Sequence, residues 1–183
     1  MGSSRGAPKV RSTTVVAVRR GGQLALGGDG QVTIGDTIFK ATAQKVRRMK
    51  GDKVLAGYAG TAADAMALFE KLEGKLDEYS GNLQRACLEL VKDWRMDRAL
   101  RRLEAMLVVG DGENLLVVGG TGDLIRPDED AVAIGSGGGY ALAAARMLLR
   151  YTDLPAPEIV RRALLAAAEI CVYTNDQITV EVL

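Results

Sequence analysis

Two adjacent threonines, Thr13 and Thr14, stand immediately before the apolar run "VVAV" near the start of the chain. A threonine with a free α-amine carries a nucleophilic hydroxyl and a base on one residue, because the amine can take the hydroxyl proton. The α-amine has a reference pKa of about 7.7–8.0, so much of it is neutral near pH 7. Thr13 gains this chemistry only if residues 1–12 are removed as a propeptide. Taken alone, the threonine pair is more typical of the start of a strand.

The composition favours such an unusual base, because the 183 residues include no histidine. This absence excludes a Ser-His-Asp or Cys-His site and a histidine-ligated zinc ion. Serine is also scarce, since only Ser80 and Ser136 occur after residue 12. The formal net charge of +1 gives no overall attraction to nucleic acid or to an anionic membrane.

Two charged residues could tune a threonine nucleophile. Asp29 follows Gly27-Gly28 at the end of an apolar run, and Lys45 lies in "AQKVRR". A lysine beside the nucleophile would lower the pKa of its hydroxyl and amine, and a carboxylate would keep that lysine charged. Considered singly, Asp29 is more typical of a turn and Lys45 of a solvent-exposed surface.

Two glycine-containing segments are candidates for binding an anion. "YAGTAAD" (residues 58–64) predicts a strand-to-helix junction, whose N–H groups could hold an oxyanion or whose Thr61 could cap the helix. "GSGGG" (residues 135–139) resembles a phosphate loop but lacks the Walker lysine and the Rossmann spacing. Ser136 within it could instead cap the following helix.

Hydrophobic periodicity predicts strands, two helices, strands, two helices and a final strand. The predicted strands are 13–20 and 23–28 joined at Gly21-Gly22, 43–51 paired with 52–60, a hairpin over 104–120 with Asp111-Gly112 at its turn, 130–137 and 177–183. The predicted helices are 61–80, a second one capped by Asn82, 138–151, and one opened by Pro155 and Pro157 that ends near Val172.

The strand sequences predict a layered fold. Runs such as residues 106–109 and 115–118 are apolar at consecutive positions, so both faces of the sheet must be buried. The tight turns between them require antiparallel neighbours. Two antiparallel sheets packed together and flanked by helices satisfy both conditions, which predicts a four-layer α/β/β/α sandwich of the α+β class.

Residues 13–183 are predicted to form one domain, and residues 1–12 a flexible leader or propeptide that is expected to be removed. The leader has no apolar core, so it is not expected to be a secretory signal, and no run is long enough to span a bilayer. Cys87 and Cys171 are expected to be buried thiols rather than a disulfide. Together these features predict a cytoplasmic protein.

Seven motifs occur in order from Thr13 onward: "TTVVAVRR", "GGDGQVTIGDT", "KVRRM", "VLAGYAGTAADA", "KDWRMDR", "AIGSGG" and "CVYTN". These motifs, in this order, resemble those of the HslV family, the peptidase subunits of bacterial ATP-dependent proteases. "AGTAAD" is also similar to the β subunits of the proteasome. Both groups are N-terminal-nucleophile hydrolases, and the resemblance implies the same four-layer fold and a threonine endopeptidase activity.

The resemblance also implies a role for individual residues. Thr13 matches the nucleophile, Lys45 the lysine that tunes it, Asp29 the aspartate paired with that lysine, and Ser136 a serine near the threonine amine. Gly60 matches the glycine whose N–H serves the oxyanion hole, with Gly57 as the alternative. The backbone carbonyls of "AEICVYT" match a structural monovalent-cation site, often sodium, with donors from Ala168, Cys171 and Thr174; no catalytic cofactor is implied.

The family further implies a homo-oligomer of two stacked hexameric rings. Because the chain has no nucleotide-binding motif, a separate HslU-type ATPase would deliver unfolded protein substrates to the enclosed sites and stimulate the peptidase. Ser12 before Thr13 is a departure, since proteasome propeptides are commonly cut after glycine and many HslV chains carry only a methionine there. The processing route of residues 1–12 therefore stays open.

Two alternatives remain at this stage. One is an N-terminal-nucleophile amidohydrolase acting on a small molecule, which need not form a closed double ring. The other is a non-catalytic ring subunit that keeps its leader, which terminal sequencing would reveal.

Overall fold

The computed structural model describes residues 10–98, 100, 103, 105–119 and 122–183. The strands within them are β1 (Val10–Ser12), β2 (Thr14–Arg20), β3 (Gln23–Gly28), β4 (Val32–Ile34), β5 (Thr37–Lys40), β6 (Val46–Met49), β7 (Val54–Gly60), β8 (Ala105–Gly110), β9 (Leu115–Val118), β10 (Leu124–Ile125), β11 (Ala131–Gly135) and β12 (Thr179–Val182). The helices are α1 (Ala62–Glu78), α2 (Leu83–Met96), α3 (Gly138–Tyr151) and α4 (Ala156–Ile170).

The strands form two large antiparallel sheets and one small sheet. A five-stranded sheet has the order β10-β9-β8-β7-β6, and a four-stranded sheet has the order β11-β2-β3-β12. Helices α1 and α2 pack on the first, while α3 and α4 pack on the second. The predicted four-layer α/β/β/α sandwich is therefore confirmed. The small sheet has the order β1-β4-β5, with β1 before β2 in the chain and with β4 and β5 after β3.

Side chains that alternate along each strand build three separate cores. In β2, Val15 and Ala17 face the opposing sheet, whereas Val16 and Val18 face helices α3 and α4. In β8, Val108 lies between the sheets and its neighbours pack under α1 and α2. β2 and β8 thus bury both faces, which explains their consecutive apolar residues.

The helix ends agree with the sequence in most places. Thr61 caps α1 by accepting a 3.1 Å bond from the Asp64 N–H, and Asn82 caps α2 through the Arg85 N–H at 2.9 Å. The possibility that Ser136 caps α3 is wrong, because Gly137 holds the cap position and no side chain bonds there. Helix α4 ends two residues before the predicted Val172, at Ile170.

The predicted hairpins are present, and the structure adds β1, the β4–β5 hairpin and β10, which pairs with β9. Gly21 and Gly22 have positive φ angles and join β2 to β3, as predicted. The β4–β5 hairpin was not predicted, because its strands are short and polar residues interrupt them. Residues 10–12, expected to be flexible, instead form β1 and pair with β4; residues 1–9 lie outside the described part of the chain.

Both cysteines are buried free thiols, as expected. Burial, with a smaller contribution from Asp111, raises the pKa of Cys87 to about 12, so this thiol is unreactive near neutral pH. Among the described residues, no helix is both long enough and apolar enough to cross a membrane.

Candidate active site

The two N-terminal threonines lie where β2 begins, beside the ends of β3 and β11. Both are completely buried. The carbonyl oxygen of Thr13 accepts a 3.0 Å bond from the Ser136 N–H. This close approach requires glycine at the end of β11, since a Cβ on Gly135 would lie 1.9 Å from the Thr13 oxygen. The turn after β11 is therefore shaped around the main chain of Thr13.

Thr14 anchors the residue next to the predicted nucleophile. Its N–H, which belongs to the peptide group joining it to Thr13, donates a 2.7 Å bond to Oδ1 of Asp29. Its hydroxyl oxygen accepts a 2.9 Å bond from the Gly137 N–H and lies 2.7 Å from the hydroxyl of Thr174. These bonds fix the chain on the carboxyl side of Thr13 to three separate segments.

Asp29 and Lys45 form a buried ion pair beneath this peptide. The lysine Nζ lies 2.9 Å from Oδ1 of Asp29 and also donates to the Gln31 carbonyl at 2.5 Å. Both side chains are fully shielded from solvent. Burial lowers the pKa of Lys45 below its ordinary value of 10.5, while the Asp29 carboxylate acts in the opposite direction. The same oxygen of Asp29 thus contacts both the lysine and the Thr13–Thr14 peptide.

A buried ion pair of this kind is a signal of function. Burying two charges costs free energy that their attraction repays only in part, so such pairs are a weak source of stability. They are common where a pKa must be tuned. The charge reaches neighbouring groups as well, since burial and then the Asp29 charge raise the pKa of Tyr58 above 10.0.

The two glycines considered for an oxyanion hole differ in their surroundings. Gly57 is enclosed, and a Cβ there would lie within 2.9 Å of the Val15 and Leu26 side chains. Gly60 ends β7 and is partly exposed, with a φ of 125° that favours glycine. The end of β7 is next to the threonines, because Ala59 lies against the β11 turn that holds Thr13. Gly60 is therefore at the accessible end of the strand.

Ser136 is exposed and its main chain contacts Thr13, as described above. Thr13 itself has a φ of 98°, a left-handed conformation that is strained for a β-branched residue. With Ser12 attached, its nitrogen is a peptide nitrogen rather than an amine.

The carbonyl groups predicted to bind a cation lie at the end of α4 and in the turn that follows. Ala168 is in the last helical turn, where carbonyls lack an intrahelical partner, and no basic residue lies in that turn. The Cys171 carbonyl accepts the Thr174 N–H at 3.0 Å, which leaves one lone pair available. A helix C-terminus carries partial negative charge, so these donors fit a hard cation.

Three contributors were not singled out by sequence reasoning: Thr14, Gln31 and Asn175. Asn175 donates its N–H to Oδ2 of Asp29 at 3.2 Å, and the Gln31 N–H donates to the same oxygen at 2.9 Å. The doubled threonine was a visible signal for Thr14. Gln31 and Asn175 each reach Asp29 through a main-chain N–H, so their residue types carry little sign of that contact.

The four-layer fold and a threonine beside a buried lysine–aspartate pair are typical of the threonine-type N-terminal-nucleophile hydrolases. The family profile described as "Proteasome subunit" matches residues 10–183. The chain therefore belongs to the proteasome family and is a threonine peptidase.

Within that family the similarity is to HslV. The chain is 56% identical over 171 residues to the ATP-dependent protease subunit HslV of Petrotoga mobilis, covering 93% of this chain and 97% of that protein. The crystal structure of HslV from Trypanosoma brucei superposes with a TM-score of 0.88 at 48% identity, covering 93% and 98% of the two chains. The resemblance to HslV is thereby confirmed.

A more distant likeness extends to the BPH protein of Thiobacillus denitrificans in complex with epoxomicin. It has a TM-score of 0.72 at 21% identity, and covers 93% of this chain and 97% of that one. At this identity the likeness shows a shared fold only.

Proposed function

We propose that this chain is the proteolytic subunit of an ATP-dependent protease and hydrolyses peptide bonds of unfolded polypeptides with Thr13 as nucleophile. The observation that carries the proposal is the buried Asp29–Lys45 pair, which contacts the peptide group between Thr13 and Thr14. A positive charge in this position lowers the pKa of the hydroxyl and of the α-amine, and so activates both.

The reaction uses groups of residue 13 at each step. The Thr13 amine takes the hydroxyl proton as Oγ1 attacks the substrate carbonyl, and the N–H of Gly60 stabilises the oxyanion. The amine then returns the proton to the departing amine of the substrate, which leaves an acyl-enzyme ester. Water, deprotonated by the same amine, hydrolyses the ester and regenerates the hydroxyl. Ser136, whose N–H donates to the Thr13 carbonyl at 3.0 Å, would position the amine.

This mechanism requires cleavage between Ser12 and Thr13. The φ torsion of Thr13 is strained, and removal of the leader relieves the strain because the freed amine no longer constrains that rotation. Val10–Ser12, directly before the proposed cleavage point, pair with one edge of β4. Removal of these three residues would expose that edge, to which an extended polypeptide could add as a strand.

A monovalent cation, with sodium as the expected ion, would be held by the carbonyls of Ala168, Cys171 and Thr174. It would offset the negative end of α4 and brace the turn that carries Thr174 against Thr14. The ion takes no part in the chemistry.

The proposed assembly is a double ring of two hexamers in the cytoplasm, served by an HslU-type ATPase. The relative from Petrotoga mobilis is named as the subunit of an ATP-dependent protease. Enclosed sites would restrict hydrolysis to unfolded chains.

The test is an assay of a fluorogenic peptide and of a stably folded protein, each with and without the cognate ATPase and ATP. The expected result is weak peptide hydrolysis alone, stimulation by the ATPase with ATP, and degradation of the folded protein only with both. Rapid degradation of the folded protein by this chain alone would contradict the enclosed-chamber proposal. Hydrolysis of small amides by a monomer would instead support the amidohydrolase alternative.

A further inference from the structure

We infer that Asn175 is a positioning residue that holds the Asp29–Lys45 pair in place for the reaction. The inference rests on the proposed roles of Thr13, Asp29 and Lys45. It adds a residue outside β2, β3 and the segment before β6, from the loop between α4 and β12.

Asn175 contacts Asp29 directly through its main chain. The Asp29 carboxylate has four N–H donors in the described structure: Thr14 and Lys45 on Oδ1, and Gln31 and Asn175 on Oδ2. Of the other three, Thr14 begins β2, Gln31 is two residues from Asp29 in the chain, and Lys45 carries the positive charge. The Asn175 N–H alone comes from the loop after α4, so the position of that loop sets one side of the carboxylate.

The Asn175 side chain fixes that loop against two other segments. Its Oδ1 accepts the N–H of Gly30 at 3.0 Å and that of Gln177 at 3.2 Å, while its Nδ2 donates to the Ala41 carbonyl at 2.8 Å. The amide therefore bridges the residue after Asp29 to the chain that leads toward Lys45.

The geometry requires an asparagine in particular. The site presents two N–H donors to one end of the amide and a carbonyl to the other, so it needs an acceptor and a donor on a short side chain. Aspartate keeps the acceptor but loses the donor to Ala41. The backbones of Gly30 and Ala41, which the amide bridges, are already in close contact, since a Cβ on Gly30 would lie 2.2 Å from the Ala41 oxygen.

An Asn175→Asp variant tests the inference with little change in volume. The substitution adds a negative charge near Asp29. The other ionisable groups that interact with Asp29 are Lys45 and Tyr58. Negative charge stabilises a protonated amine, so the midpoint of the acid limb of kcat should rise by roughly 0.5–1 pH unit. Loss of the bond to Ala41 should lower kcat at the optimum by about tenfold.

Two further variants separate positioning from a general effect of charge or stability. Asn175→Ala should lower kcat by about tenfold without moving the midpoint, because it adds no charge. Gln177→Glu adds the same charge two residues away on an exposed side chain, where solvent screens it, and should leave the pH profile unchanged. If Asn175→Ala does not fold, the near-isosteric aspartate variant decides the result.

A wild-type kcat and midpoint in folded Asn175→Asp would overturn the inference. An equal shift in Gln177→Glu would overturn it too, since the effect would then be nonspecific. Thr13→Ala and Lys45→Met are assayed alongside. If they are inactive while Asn175→Asp behaves as wild type, only this inference fails, whereas activity in Thr13→Ala would mean that the proposed site is wrong.

Discussion

Replacing Lys45 by methionine removes the buried charge while keeping an unbranched side chain of similar length. The pair has no solvent exposure, and loss of one partner from a buried ion pair costs about 3–5 kcal/mol because the other charge stays unpaired. For a domain of this size each kcal/mol lowers the melting temperature by roughly 2–4 °C. We therefore expect the melting temperature to fall by on the order of 10 °C.

Lys45→Met should also lower the catalytic rate, and this loss should persist at temperatures where the variant is fully folded. Removing a preorganised charge from beside a buried nucleophile lowers kcat/KM by on the order of 10²-fold or more. The assay is hydrolysis of a fluorogenic peptide at a temperature where circular dichroism shows both proteins to be folded.

Lys50→Met provides the matched control, because Lys50 also pairs with an aspartate, Asp77, but with 31% and 68% of the two side chains exposed. Exposed pairs contribute about 0–1 kcal/mol, and this one lies far from the site. Near wild-type turnover in folded Lys45→Met would show that another residue tunes the nucleophile. An equal loss in Lys50→Met would show that the effect is not specific to the buried pair.

Three further predictions follow from the same geometry. Thr13→Ala should abolish peptide hydrolysis with an unchanged melting temperature, while Thr13→Ser keeps a hydroxyl and amine and should retain part of the rate; turnover by the alanine variant would contradict the nucleophile. Activity should rise with pH as the amine loses its proton, with a midpoint below the reference pKa of roughly 7.7–8.0 because Lys45 is positive. As the pH rises further, activity should fall before pH 10.5 is reached, because burial lowers the pKa of Lys45 and its charge is then lost. An acid limb that does not move in Lys45→Met would refute this. Gly137→Ala should lower both activity and melting temperature, because a Cβ would lie 2.4 Å from the Thr14 hydroxyl, whereas Gly139→Ala, with open space around it, should be neutral in the same assays.

The layered fold was accessible from the sequence because its determinants are local. Apolar residues at consecutive positions with tight turns between them require two-sided burial of antiparallel strands, and the structure has this arrangement in β2 and β8. The β4–β5 hairpin was missed because all four residues of β5 are exposed and show no alternation. The β1 strand was missed because only its pairing with β4, far along the chain, orders it.

The candidate site was accessible only in part. The absence of histidine and the doubled threonine pointed to Thr13, and the motifs pointed to Asp29 and Lys45. The contact between them depends on long-range packing that no local pattern encodes, such as the bond from Asn175 across 146 residues. Ser136 was open to two interpretations, and the cap position of Gly137 removes one of them.

The most direct test of the central claim is the intact mass of the natively expressed protein, measured on the same sample whose peptide hydrolysis is assayed. We expect the mass of a chain that begins at Thr13, with activity in proportion to the fraction processed. A fully active sample that retains residues 1–12 would contradict it, because the base would then be a peptide nitrogen that cannot accept a proton.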